Sequence, residues 1–90
     1  MSQHIWNSEN TEVRMGYDRP LDMIFCTVSI RGEIAYTNLD DEEAGTECQD
    51  VEYYRGVLLG LRITVPEEMY AEVKYDQANR TGNRVVEYKS

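Results

Sequence analysis

Chemically reactive side chains are scarce in this chain, which has one His and two Cys among 90 residues. A structural zinc site usually takes four Cys and His ligands at close spacings, and His4 has no partner at such a spacing. Nucleophilic catalysis needs an activated Ser, Cys or Lys beside a base. A Cys26–His4 pair is conceivable, but Cys26 falls in an apolar run, where it is expected to pack as a small hydrophobe. We expect no enzymatic activity, no metal and no cofactor.

Basic residues are also few, with 9 Lys and Arg against 17 Asp and Glu and a net charge of −8. Proteins gain affinity for polyanions mainly through Lys and Arg, so we expect no direct binding to nucleic acid or to anionic membranes. No segment approaches the ~18 apolar residues that span a bilayer. The first ten residues also lack a secretory signal pattern. These absences predict a cytoplasmic protein in which Cys26 and Cys48 are reduced.

Proline and glycine are too few and too scattered to form a linker, with two Pro and six Gly in the chain. A chain of this length supports one modest core. We therefore expect residues 1–90 to form a single domain.

The longest apolar run, residues 22–30, predicts the central strand. Side chains alternate along a strand, so four apolar residues share its core face: Ile24, Cys26, Val28 and Ile30. Arg31-Gly32 predicts a tight turn, since Gly accepts a positive φ. A second strand follows over residues 33–37, with Ile34 and Tyr36 on one side.

Strands are also predicted on either side of this hairpin and at the end of the chain. Residues 4–6 form a short first strand, and residues 11–17 alternate between apolar and polar positions. Together these segments predict an antiparallel β-meander. Residues 84–89 predict a short C-terminal strand at an edge of the sheet.

Two helices are predicted in the second half. Residues 46–49 (TECQ) match a capping box, and an apolar stripe follows at helical spacing, which gives a helix over about 47–60. Gly56 and Gly60 either weaken this helix or allow close approach to the sheet. Pro66 and two glutamates start a second helix over about 66–79. The fold class is α+β: a two-layer domain with a meander of three to five strands covered on one face by both helices.

A run of acidic residues separates the two halves: Asp40, Asp41, Glu42 and Glu43. A calcium-binding EF-hand loop starting at residue 38 would need Gly at its sixth position and Glu at its twelfth. The chain has Glu43 and Gln49 there, so the match fails. We interpret residues 40–43 as a solvated acidic loop that is available to a basic partner.

Seven tyrosines, against one Phe and one Trp, are the strongest sign of an interaction surface. Tyrosine combines a large contact area with a polar tip, which suits interfaces. Tyr53, Arg55 and Tyr75 are candidate contact residues on the helices, although the tyrosines are equally suited to cover the rim of a small core. Asp18 and Arg19 either present charge to a partner or serve the turn before Pro20.

Four short motifs carry a family resemblance. Trp6, GYDRPL at residues 16–21, YTNL at 36–39 and NRVV at 83–86 resemble a family of small uncharacterised bacterial proteins. These motifs consist of turn and strand residues, and the resemblance implies no activity and no functional residues.

Two functions remain open from the sequence. The first is a small non-enzymatic protein–protein interaction module, with a homodimer as one option. The alternative is an acidic inhibitor or nucleic-acid mimic, of the kind found in phages and mobile elements, that binds a basic site on a partner protein.

Overall fold

Five strands and three helices form the domain in the computed structural model, which describes residues 1–46 and 49–89. The strands are β1 (Ser2–Ser8), β2 (Thr11–Asp18), β3 (Met23–Ile30), β4 (Glu33–Thr37) and β5 (Arg84–Lys89). The helices are α1 (Glu42–Thr46), α2 (Val51–Gly60) and α3 (Glu67–Ala78). The predicted α+β class is confirmed.

The sheet has the strand order β4-β3-β2-β1-β5. Strands β1 to β4 pair antiparallel with their sequence neighbours, which confirms the meander. The final strand lies at an edge as predicted, but it runs parallel to β1, so the sheet is mixed. The intervening helices form a crossover connection, the type that parallel neighbours require.

The core lies between the sheet and the helices. The predicted alternation is confirmed, because the inward residues of β2 and β3 are fully buried: Val13, Met15, Tyr17, Ile24, Cys26 and Val28. Helix α2 covers them with Val51, Tyr54 and Leu58, and α3 covers them with Met69 and Val73. Full burial of one such side chain stabilises a fold by roughly 1.5–3 kcal/mol.

The turn between β3 and β4 has the geometry that its sequence predicts. Arg31 and Gly32 have φ angles of 54° and 81°, which match the two-residue type I′ turn of a tight hairpin. The strand that follows departs from expectation. Val28 pairs with Tyr36 and Ser29 with Ile34, so a bulge at Ala35 turns Ile34 to the outer face. The prediction that Ile34 and Tyr36 share a side is therefore wrong.

Helix α2 begins later than predicted. Asp50 caps α2, since its Oδ1 accepts a hydrogen bond from the Tyr53 amide at 3.1 Å. The predicted capping box includes Glu47 and Cys48, which lie outside the described residues. Helix α3 follows Pro66, as its sequence predicts. The short helix α1 was not expected within the acidic region.

Gly56 and Gly60 do not allow close approach to the sheet. Both are exposed on α2, and a Cβ at either position would meet nothing within 4 Å. The close approach occurs instead at Gly16 in β2, where a Cβ would lie 2.0 Å from the Ser2 carbonyl oxygen. No side chain fits there without moving β1.

Candidate interaction surface

The acidic segment, residues 40–43, follows the outer strand of the sheet directly. Strand β4 ends at Thr37, and a 3-10 turn over Asn38–Asp40 leads into α1. Asp40, Glu42 and Glu43 are exposed, whereas Asp41 is half-buried. The predicted solvated loop is thus a turn and a short helix that display carboxylates.

Asp41 anchors this segment to the domain. Its Oδ2 accepts hydrogen bonds from the Tyr53 hydroxyl at 2.6 Å and from the Tyr36 hydroxyl at 2.7 Å. Its Oδ1 accepts a bond from the Glu43 amide at 3.1 Å, at the start of α1. These bonds, led by the one from Tyr53, outweigh partial burial and hold the pKa of Asp41 below its ordinary value.

The two tyrosine hydroxyls are donors in this arrangement. The bond to Asp41 is the main cause that raises the pKa of Tyr53 to about 12. Burial, and then the same carboxylate, raise the pKa of Tyr36. Both hydroxyls stay protonated at neutral pH, so they hold Asp41 ionised. Tyr53 therefore positions Asp41, and its hydroxyl already donates its hydrogen to that carboxylate. Tyr36 was not among the predicted site residues.

Asn38 fixes the turn before the acidic segment. Strand β4 leaves the first half of β3 without a strand neighbour on its outer side. Asn38 fills part of that gap by accepting a hydrogen bond from the Cys26 amide at 3.1 Å, and Tyr54 donates to the Ile24 carbonyl at 3.2 Å. Asn38 is buried in this role. The next side chain, Leu39, lies in solvent with 85% of its surface exposed.

An apolar groove lies beside this turn, on the sheet face that the helices leave open. Met23 and Phe25 on β3 line it, with Leu39 from the turn and Leu21 from the β2–β3 connection. Its volume is about 230 Å³. Asp18 also lines the groove and accepts a hydrogen bond from the Leu21 amide at 3.3 Å. The turn-stabilising role of Asp18 is therefore seen directly, and it places Asp18 beside a surface that sequence patterns did not reveal.

The other predicted contact residues lie apart from the acidic segment and the apolar groove and do not link them into one surface. Arg55 stacks on the Tyr70 ring, with 4.1 Å between its Cζ and the ring centroid, and it pairs with Glu52 and Glu67. Arg19 is exposed in the turn, and Tyr75 is exposed on α3.

Most tyrosines contribute to the core. Four of the seven are buried: Tyr17, Tyr54, Tyr70 and Tyr88. Tyr36 and Tyr53 pack against the same cluster, which leaves Tyr75 as the exposed one. The alternative in which tyrosines cover a small core therefore describes most of them.

A second hydrogen-bonded cluster lies in the core between β1, α3 and β5. Asp76 on α3 accepts bonds from His4 Nε2 at 2.6 Å and from Arg84 Nη1 at 2.8 Å, and Tyr88 bonds His4 Nδ1 at 2.9 Å. Burial alone would raise the pKa of Asp76. The bonds from His4, Ser2 and Arg84 outweigh that effect and lower it. An ionised carboxylate only accepts, so His4 Nε2 carries the hydrogen.

This cluster is inaccessible, since His4 and Asp76 are each 0% exposed. A general base must reach the proton that it removes, and neither side chain is accessible to solvent in this structure. The conceivable Cys26–His4 pair is not formed, because His4 bonds Asp76 and Tyr88 instead. Burial also raises the pKa of Cys26 to about 12, which disfavours the thiolate.

Metal-ligating side chains do not converge in groups of three or more within residues 1–46 and 49–89. Over the same residues, no helix has both the length and the apolar character to cross a bilayer. No family model, curated protein or solved structure matches the chain.

Proposed function

We propose that this protein is a small, non-enzymatic interaction module of the cytoplasm that binds a basic surface on a partner protein through its acidic segment. The observation that carries the proposal is the fixation of Asp41 by two tyrosine hydroxyls. The acidic carboxylates around it are displayed on ordered backbone. A preordered surface loses less conformational entropy on binding than a loose loop does.

The charge distribution supports a basic partner. No Lys or Arg occurs between Gly32 and Arg55 in the sequence. Among the described residues, no salt bridge joins a basic side chain to Asp40 or Asp41. A net charge of −8 on each copy opposes self-association through this surface and favours association with a positive one.

Removal of the displayed charges tests this function. A triple variant, Asp40→Asn with Glu42→Gln and Glu43→Gln, retains Asp41 and its anchors. The matched control removes three exposed carboxylates elsewhere, with Glu9→Gln, Glu68→Gln and Glu87→Gln. Each protein is immobilised and used to capture proteins from an extract of the cell from which the sequence comes, and bound proteins are quantified by mass spectrometry.

We expect basic proteins that wild type and control retain and that the triple variant loses. Their capture should also fall in ~0.5 M salt, where exposed charge pairs are screened. Equal capture by the triple variant and its control would refute the role of the acidic segment. Retention of the same proteins at high salt would argue against a mimic that acts by charge alone.

A further inference from the structure

Two turns place leucines on the two sides of the apolar groove. Asp18 accepts a hydrogen bond from the Leu21 amide, and Asn38 is buried against β3 directly before Leu39. Leu21 is 65% exposed and Leu39 is 85% exposed. Both leucines therefore stand in solvent on backbone that neighbouring side chains hold in place.

The floor of the groove is also apolar. Met23 and Phe25 lie on the sheet face opposite the helices and are half-buried. With Met1, which also lines the groove, five apolar side chains thus converge there. Convergent exposed apolar groups of this kind are typical of binding grooves, whereas single exposed leucines are ordinary.

Charge indicates what can cover the groove. Among the residues that line it in the described part of the chain, Asp18 carries the one charged side chain, and the ammonium group of Met1, which also lines the groove, donates to Asn83 Oδ1 at 3.1 Å. Asp40 follows Leu39 directly, so the acidic segment begins at the side of the groove formed by Leu39. A second copy would bring another net charge of −8 to this face. A segment that carries Lys or Arg gains attraction at the same place.

We propose that this groove binds a short partner segment that combines apolar side chains with Lys or Arg. The apolar side chains lie against Met23, Phe25 and the two leucines, and the basic ones reach Asp18 and the acidic segment. This inference rests on the proposed function, since it assigns both contacts to one partner. It adds that recognition is partly hydrophobic, so affinity depends on the groove as well as on charge.

A displayed library of random 12-residue peptides, selected on the wild-type protein, tests the proposal without knowledge of the natural partner. Enriched peptides are synthesised, and their binding is measured by fluorescence anisotropy. The groove variant is Leu21→Ser with Leu39→Ser. Its matched control is Leu59→Ser, since Leu59 on α2 is also exposed, by 61%. All three substitutions fall on exposed side chains, so the fold is expected to survive, and thermal unfolding checks this.

We expect the enriched peptides to combine Lys or Arg with Leu, Ile, Phe or Met. The groove variant should bind them at least about tenfold more weakly, as loss of a buried leucine contact would predict. Leu59→Ser should leave affinity unchanged. Amide and methyl NMR shifts caused by the peptide should map to residues 21–25 and 38–41.

Other results would overturn the groove assignment and would separate it from the proposed function. Basic peptides that bind wild type and groove variant equally, but not the acidic-segment triple variant, would leave the proposed function intact and remove the groove. Enrichment of neutral or acidic peptides, or of none, would refute the basic chemistry of the occupant. A doubled mass in light scattering that the groove variant abolishes would assign the groove to a second copy.

Discussion

Asp76 and Asp41 are both carboxylates held by several hydrogen bonds, but they lie in opposite environments. Asp76 is in the core, bonded to His4 and Arg84, and it joins α3 to the first and last strands. Asp41 lies beyond β4, at the opposite edge of the sheet, where two tyrosine hydroxyls bond it beside solvent. The comparison teaches that similar polar chemistry joins elements of the fold where it is buried and fixes an acidic segment at the surface where it lies beside solvent.

Removal of the buried carboxylate is expected to have the largest effect. Asp76→Ala leaves His4 Nε2 without its acceptor. Arg84 also loses one of its two carboxylate partners and keeps Glu72. Breaking one side of a buried, charged hydrogen-bonded pair typically costs about 3–5 kcal/mol. Urea denaturation should show a loss of that order.

A double-mutant cycle sharpens this prediction. Asp76→Ala combined with His4→Ala removes both partners, so for a coupled pair the double variant loses less stability than the sum of the two single losses. If the double variant is destabilised by the sum of the two single effects, the pair is not coupled, and the buried bond is not what holds these strands.

Gly16→Ala is expected to have the next largest effect, because the space beside Gly16 is already filled by β1 and Phe25. The new Cβ would lie 2.0 Å from the Ser2 carbonyl oxygen, so β1 must shift. Ser2 is buried, and its hydroxyl accepts a bond from the Tyr17 amide at 3.0 Å. Overpacking of this kind costs about 1–3 kcal/mol.

The matched control for this substitution is Gly56→Ala, where nothing lies within 4 Å of the new Cβ. An exposed Gly inside a helix is less favourable than Ala by roughly 0.5–1 kcal/mol. The two substitutions should therefore change urea midpoints in opposite directions. Destabilisation by both would mean that the loss is not specific to the contact between Gly16 and Ser2.

Acid should destabilise the protein through the buried carboxylate. The pKa of Asp76 is lower in the folded protein than its ordinary value of 3.8. Its contribution is therefore fully present above the unfolded pKa and is lost as the pH falls through the folded one. The free energy of unfolding, measured by circular dichroism, should fall as the pH drops below about 4.

Arg84→Gln sharpens this test because it removes a charged donor to Asp76. The pKa of Asp76 should rise, and the acid unfolding midpoint should move to higher pH. Arg14→Gln is the control, since Arg14 pairs with Glu12 on the open face of the sheet. Equal shifts for both variants would indicate a general charge effect and not the buried bond.

The same two carboxylates show what the sequence could predict. Alternation and helical spacing identified the strands, the two longer helices and most of the core, because those patterns follow from burial on one face. They did not place Asp76 in the core, since a charged residue in a helix normally faces water. Its partner His4 lies 72 positions away, and no local signal links two residues at that distance.

The candidate surface was only partly predictable for a similar reason. The acidic run and Tyr53 were recognised, but the bond that joins them depends on how α2 packs beside the end of β4. The groove depends on two turns that meet only in the folded sheet. The bulge that turns Ile34 outward likewise has no marker in the residues around Ala35.

Asp41→Ala is expected to have the smallest effect on the fold. Tyr36 and Tyr53 lose their acceptor, but both hydroxyls are close enough to solvent to bond water instead. The melting temperature should fall by no more than about 4–8 °C, well short of the effect of Asp76→Ala. Capture of basic partners should nevertheless fall, because the segment that Asp41 anchors becomes loose and binding must then order it. A variant that melts early but retains its partners would place Asp41 with Asp76 among the residues that serve the fold. A variant that keeps its stability and loses its partners would separate the two carboxylates as their surroundings predict.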